Sequence, residues 1–398
     1  MSSILKKELF IEFEDKHLIF LAVEFTENNE IKILDKKISN IEEIKEGYIS
    51  NLDSIIILIQ NNLNEIEKKI NFIFKNVNII TNFTNYDCIN VSGFKKLNNS
   101  QIQKDDISFI LNNLKRLIFE NENNKSIIHI FNSKFNLDNV EMNNIPIGLF
   151  GNFYSHQLTF FLLKDNDLRN IKQVLNKCNL NISRIILGSF AQGMSLINES
   201  DILNSFLKID IKKNFSNLSY FENHSYRYSQ QFKFGFDVII NDVSKVCSLS
   251  RDNVKLLLKE INFDNIFNDN DYLAEKYFLK NKFRKIRLNH IREIISARVK
   301  EIIDIFILKN INLLSFKKNK KIFINLDNEF LKINLKNIFL ESFSNDSEPY
   351  LNYKTQDELF QSCLSSAELI FKGWSKEALP IIQTKKSIIS RIFSSIFG

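Results

Sequence analysis

Strand-like and helical stretches follow one another twice along this chain, and that repeated order constrains the fold more than any other feature. Residues 9–13 and 17–23 have strand character on either side of the turn Glu14-Asp15-Lys16, and residues 31–34 predict a third strand. Apolar residues at Ile55, Ile56, Ile59, Leu63, Ile66 and Ile70 then predict a helix over residues 52–70. A second β-rich region opens at residues 206–211 and runs to 236, and residues 272–308 are expected to be mostly helical. The order strand-rich, helical, strand-rich, helical predicts a duplicated α/β architecture and not one doubly wound sheet.

Between the first two regions lies a compact unit, residues 77–163. It holds strand-like pieces over 77–91 and an amphipathic helix over 107–119, with Asp105 and Asp106 at the end where the helix dipole favours acids. A buried strand over 126–131, the tight turn Ile145-Pro146-Ile147-Gly148-Leu149-Phe150-Gly151 and a strand over 158–163 complete it. His129, inside an apolar strand, is expected to be a satisfied core residue and not a ligand. A helix over 167–178, a strand over 181–187 and a short helix over 190–197 follow. Later elements are a strand over 321–324, a helix over 365–371 closed by Gly373, and a linker over 374–384.

With 398 residues, 44% of them hydrophobic, the chain can bury several subdomain cores. Cys88, Cys178, Cys247 and Cys363 form no CxxC pair, and with five scattered histidines they offer no metal site, which fits a reducing cytoplasm. Met1–Lys7 leads directly into a strand, without signal-peptide character, and no apolar run reaches spanning length. The net charge of +6 is modest and comes without a recognition motif, which argues against nucleic acid. Nine glycines are about a third of ordinary usage, so Gly-rich phosphate loops are disfavoured. Neither GxSxG, HExxH, a P-loop nor a Cys–His frame is present, so no catalytic residue is assigned.

Two surfaces carry binding potential. Between Glu275 and Lys300 stand nine Lys or Arg against Glu275 and Glu293: a solvated helix face, or a docking surface for an acidic peptide. The chain closes on Lys385 to Gly398. At 100° per residue Ile388, Ile389, Ile392, Phe393, Ile396 and Phe397 share one face, opposite Ser387, Ser390, Arg391, Ser394 and Ser395, with Lys385 and Lys386 at the entry. Such a helix lies in an anionic membrane interface or docks on the protein's own body.

Several of these stretches, in one order, resemble the bacterial cell-division protein FtsA, an actin-like family. Ile128-His129-Ile130-Phe131 followed by the 145–151 turn is similar to a strand and a Pro-Val-Gly-Leu-x-Gly-like turn in the family's inserted subdomain. Ile294-Ile295-Ser296-Ala297-Arg298-Val299-Lys300-Glu301-Ile302 is close to a helix motif of its fourth subdomain. The helix, linker and amphipathic tail make the third match. The resemblance implies an α/β, two-lobed actin-like (ribonuclease H-like) fold with an inserted SHS2-type subdomain. The first lobe would take residues 1–76 and 164–202, the insert 77–163, and the second lobe 203–373, with its helical, basic subdomain at 250–320. The linker over 374–384 and the helix over 385–398 would follow.

The function implied is a peripheral adaptor at the division site, tethering the ring of the tubulin-like protein FtsZ to the cytoplasmic face of the inner membrane. The FtsZ C-terminal peptide would dock near Arg298, Lys300 and Glu293. Anionic lipids would meet Lys385, Lys386, Ile388, Ile389, Arg391, Ile392, Phe393, Ile396 and Phe397, and the insert would contact the next protomer of a filament. The alternatives are a working actin-like ATPase of the same family and the related type-IV-pilus assembly class, which grips a membrane protein's peptide and lacks the tail.

Actin-like ATPases cradle phosphates on two Gly-containing hairpins, because backbone N–H groups must approach with no side chain between. By the resemblance, Glu14 and Asp15 stand where the first hairpin, which begins at Glu12, has Gly and Thr. In the second hairpin Asp210 survives, Lys212, Lys213 and Asn214 replace the Gly run, and Asn217 replaces an acid. Leu326-Asp327 replaces the Gly-Gly turn that holds adenosine. Glu12, Asp210, Lys212 and Lys213 are therefore remnants of a nucleotide site, and the expectation is a protein without cofactor, in which ATP and Mg²⁺ are disfavoured and hydrolysis is absent.

Overall fold

The computed structural model describes residues 6–26, 30–45, 48–82, 86–198, 203–279, 282–316, 321–326, 329–343, 348–352, 357–374 and 376–380. In chain order the strands and helices are β1 (Lys6–Glu14), β2 (His17–Phe25), β3 (Ile31–Asn40), the small pair β4 (Ile44–Lys45) and β5 (Tyr48–Ile49), α1 (Leu52–Ile70), β6 (Asn76–Thr81), β7 (Tyr86–Gln101), α2 (Lys104–Asn121), β8 (Lys125–Leu137), β9 (Val140–Met142), β10 (Phe150–Lys164), α3 (Asp165–Lys177), β11 (Asn181–Leu187) and α4 (Gly188–Asn198). They continue with β12 (Phe206–Ile211), β13 (Ser216–Glu222), β14 (Ser225–Phe232), α5 (Asp237–Val246), α6 (Arg251–Glu260), α7 (Leu288–Ile303), β15 (Lys321–Leu326), α8 (Glu329–Asn334), α9 (Lys336–Glu341), β16 (Glu348–Asn352), α10 (Gln361–Lys372) and β17 (Glu377–Pro380).

The chain forms two compact units. The first takes 1–204, 221–228 and 355–398, and the second takes 205–220 and 229–354. In the first, a five-stranded sheet runs β11-β6-β1-β2-β3. Its centre is unbroken apolar sequence: β1 buries Leu9, Phe10, Ile11 and Phe13, and β2 buries Leu18 to Val23. Strands covered on both faces need such runs instead of alternation. Helix α1 is capped by Asn51, whose side chain accepts from the Asp53 and Ser54 amides, and it ends on Asn71 in the left-handed conformation at φ 53°.

Strand β6 lies parallel to β1 and β11, pairing Phe10 with Asn78 and Ile185 with Ile79. It is thus part of the first lobe's sheet, and the insert begins after Thr81, not at residue 77. Its apolar side chains fit either sheet equally well; only the pairing distinguishes them. The insert's own sheet runs β17-β8-β10-β7, with β9 on β8. Helix α2 covers one face, with Ile107, Ile110, Leu111, Leu114 and Ile118 buried in a core shared with Leu158, Phe160 and Leu162. Gly93 of β7 lies under Ile110, where a Cβ would come within 2.5 Å of Ile110 Cγ2. The 145–151 turn docks by two backbone bonds, Gly148 N–H to Ile102 O and Ile102 N–H to Leu149 O, and Gly148 supplies the positive φ of 84°.

Two further expectations are corrected. Residues 377–380 are no linker: they form β17 on the edge of the insert's sheet, with Glu377 and Ala378 buried. Helix α10 belongs to the first unit and not to the second lobe, and packs against α4.

The second unit's sheet runs β14-β13-β12-β15-β16, with the β13–β14 tip at 221–228 belonging to the first unit. The basic region is less helical than its composition suggests. Among the described residues, 275–278 form a 3-10 turn, 282–287 are irregular, and α7 then continues into a π-helical turn at 304–308. Tyr272 bridges Arg287, and Leu273 N–H donates to Ile286 O at 2.8 Å, so tertiary backbone pairing overrides helix propensity there.

Candidate functional site

The hairpin expected from the resemblance to carry the first phosphate loop lies in the first unit. β1 and β2 pair through Glu14 opposite His17, which leaves Asp15-Lys16 as a two-residue turn with Lys16 at φ 71°. The Lys16 carbonyl accepts from Ile41 N–H at 2.9 Å. Glu12 points inward and is buried. Asn82 Nδ2 donates to its Oε1 at 2.6 Å, and the Cys363 thiol approaches its Oε2 at 3.6 Å. Burial, then the nearby Glu12 charge, push the Cys363 thiol well above its ordinary range. Gly188 leaves the space that Asn82 fills, since a Cβ there would stand 2.0 Å from Asn82 Oδ1. Glu12 is therefore knitted into an internal network with Asn82 and Cys363.

The turn expected to carry the second phosphate loop lies in the second unit. Lys208 and Asp210 are two apart on β12, so they share a face and form an ion pair. Asn325 Nδ2 of β15 donates to Asp210 Oδ1 at 3.0 Å. The turn closes with Lys212 N–H donating to Phe215 O, and the Lys212 ammonium lies 5.4 Å from the Phe215 ring centre. The start of α5 packs on this turn: Phe236 N–H donates to Lys212 O and Asp237 N–H to Lys213 O, both at 3.0 Å. Gly235 makes the approach possible, since a Cβ would meet Lys212 O at 1.9 Å. The turn thus aims the Lys212 and Lys213 carbonyls at the amides of the α5 start. Lys208 and Asn325 were absent from the sequence expectation; the Lys-x-Asp spacing on a strand was the available signal for Lys208. Leu326 ends β15 in the core, and Asp327 lies outside the described residues.

On α7, Arg298 Nε binds the Asp242 carboxylate of α5, and its Nη1 donates to Glu301 at 2.6 Å. Lys300 is exposed, and Glu293 is exposed beside His290. The sequence thus places Arg298 on a helix surface, but the structure engages it internally. A cavity of about 560 Å³ lies instead at the start of α7, lined by Arg284, Lys285, Arg287, His290 and Arg292 with Val246, Asp269 and Glu293. Arg284 is fixed by the Cys247 and Ser248 carbonyls and Arg292 by Phe263 O. The tip of the insert exposes a second surface: Phe94 and Phe153 stack at 5.5 Å, with Val140, Leu149 and Phe150 also exposed. Lys385, Lys386, Ile388, Ile389, Arg391, Ile392, Phe393, Ile396 and Phe397 lie outside the described residues. Among the described residues no helix is long and apolar enough to cross a membrane, and no cluster could hold a metal ion.

No family model matches the chain. Cell division protein FtsA of Buchnera aphidicola subsp. Schizaphis graminum is 23% identical over 299 residues, 74% of this chain and 70% of that one. The protein of the same name from Buchnera aphidicola subsp. Acyrthosiphon pisum is 23% identical over 245 residues, and that from Escherichia coli K12 is 16% identical over 199. The chain is a divergent FtsA-like protein. Its match spans 58% of the second of these relatives and 47% of the third, less than two thirds of their length. Among solved structures, the PilM–PilN type IV pilus biogenesis complex aligns with a TM-score of 0.55 at 9% identity, over 90% of this chain and 96% of that one. The fold is the two-lobed actin-like one.

Proposed function

We propose that this FtsA-like chain is a cell-division adaptor that tethers FtsZ to the cytoplasmic face of the membrane and self-assembles without hydrolysing ATP. The observation that carries this reading is the match to FtsA along 74% of the chain. The tail supports it: six bulky apolar residues face three cations and small hydroxyls. The insert is of the SHS2 type in this reading, and its exposed Phe94–Phe153 tip is the surface for the next protomer.

The acidic FtsZ tail docks at the cavity that opens α7. Lys285 and Arg287 line it, and the helix dipole adds positive potential there. Arg298 and Lys300 lie further along the same helix, but Arg298 would have to leave two carboxylates to reach a partner. The nucleotide loops serve as structure. Glu12 and Asp210 are each engaged within their own unit, and the second turn presents carbonyls to α5. A phosphate would meet acids and carbonyl oxygens where it needs amides.

The PilM–PilN neighbour favours one alternative, a pilus-type protein that grips a different peptide. Titration of the FtsZ C-terminal peptide of the same organism separates the two. Lys285→Glu with Arg287→Glu is expected to weaken binding at least about tenfold, because desolvated charge contacts at an interface are worth about 1.5 kcal/mol or more. No binding by the wild-type protein would favour the pilus-type reading.

A further inference from the structure

We propose that residues 376–380 are a strap that holds the inserted subdomain to the first lobe's sheet and sets the length of chain between the folded body and the C-terminal tail. One short segment makes contacts to both. Asn132 N–H of β8 donates to Lys376 O at 2.8 Å, and Glu377 to Pro380 pair with Phe131 to His129. Ala378 enters the insert's core. The Glu377 carboxylate, fully withdrawn from solvent, meets His129 Nδ1 at 2.7 Å and pairs through its other oxygen with Arg184 of β11. His129 completes the bridge, because its Nε2 accepts from Leu187 N–H of β11 at 3.1 Å. That bond leaves the ring proton on Nδ1, which donates to Glu377.

Several features make this an openable strap and not an integral strand. Its strand is only four residues long, lies at the sheet edge, and its register breaks between Glu377 and Leu379. Arg184 is buried, yet its Nε and Nη1 meet no acceptor among the described residues. A buried ion cluster that is incompletely satisfied contributes less than its short contacts suggest, and opening rehydrates it. With the strap closed, the chain from Pro380 to Lys385 reaches about 17 Å at most; with it open, the chain from Gly373 to Lys385 reaches about 40 Å. This consequence rests on the tail being the membrane anchor; the strap itself does not.

Hydrogen exchange on the full chain tests it. In the wild type, the amides of Glu377, Ala378, Leu379 and Asn132 are expected to exchange as one group, about tenfold or more faster than amides shared by β8 and β10. Glu377→Gln is expected to speed that group by a further tenfold or so while leaving β1–β2 and β12–β15 unchanged. Deleting residues 385–398 is expected to leave the group as in the wild type. Exchange of the group only together with β10, in the wild type, would overturn the strap, and this holds even if Glu377→Gln fails to fold. Sedimentation with phosphatidylglycerol vesicles keeps the two ideas apart: Glu377→Gln should pellet and the 385–398 deletion should not. If the deletion still pellets, the anchor reading fails while the exchange result stands.

Discussion

Arg298 of α7 donates from Nε to the Asp242 carboxylate of α5, so the most recognisable residue of the basic helix ties two helices of its own unit together. The Asp242 hydrogen bond raises the Arg298 pKa above its already high ordinary value. We expect Arg298→Ala to cost about 0.5–1 kcal/mol of stability, the range for a partly exposed pair. FtsZ-peptide affinity should change less than about twofold if Lys285 and Arg287 are the docking cations, as proposed above. Urea unfolding and peptide titration read the two effects. A tenfold loss of affinity in folded Arg298→Ala would put this residue back in the interface.

Asp210 accepts from Asn325 and pairs with Lys208, while the 212–213 carbonyls are tied to α5. ATP with Mg²⁺ is therefore expected to leave the melting temperature unchanged within about 1 °C, because a ligand present below its Kd adds almost no stabilisation. Phosphate release should not rise above background. A shift of several degrees accompanied by turnover would contradict the reading of these loops as structure.

His156 of β10 is buried, with Nε2 against Asn132 Oδ1 at 3.0 Å, and burial holds its pKa down from 6.5 to about 3. Between those two values the unfolded chain binds a proton that the folded one does not. The contribution is therefore present above the ordinary histidine pKa and is lost as pH falls: about 2 kcal/mol is gone by pH 5. His129 is also lowered by burial and acts with the same sign. His156→Phe should flatten the fall in urea stability between pH 6.5 and 5, and an unchanged slope would contradict the assignment.

Helix α1 was legible to the residue, because an amphipathic 19-residue run carries its own cap at Asn51. Strand β11 was equally plain. The place of β6 was not: an apolar run shows that a strand is buried but not which neighbour it pairs with. β17 was invisible for a related reason, since Glu-Ala-Leu-Pro lacks alternation and its partner strand lies about 250 residues earlier. At the site, the residues at the expected loop positions were readable one at a time. The packing around them was not, because Asn82 against Gly188 and Asn325 beside Asp210 are contacts between residues more than a hundred positions apart.

The adaptor claim is tested most directly by recruitment. Fluorescent FtsZ C-terminal peptide is mixed with anionic liposomes and the full chain, and the signal on the liposomes is measured. The wild type is expected to carry the peptide to the surface. Ile392→Glu with Phe393→Glu should bind the peptide equally well in solution and leave it there, since two acids in the apolar face oppose insertion and repel the anionic surface. Peptide brought to liposomes by the double variant as efficiently as by the wild type, or by neither protein, would contradict the account.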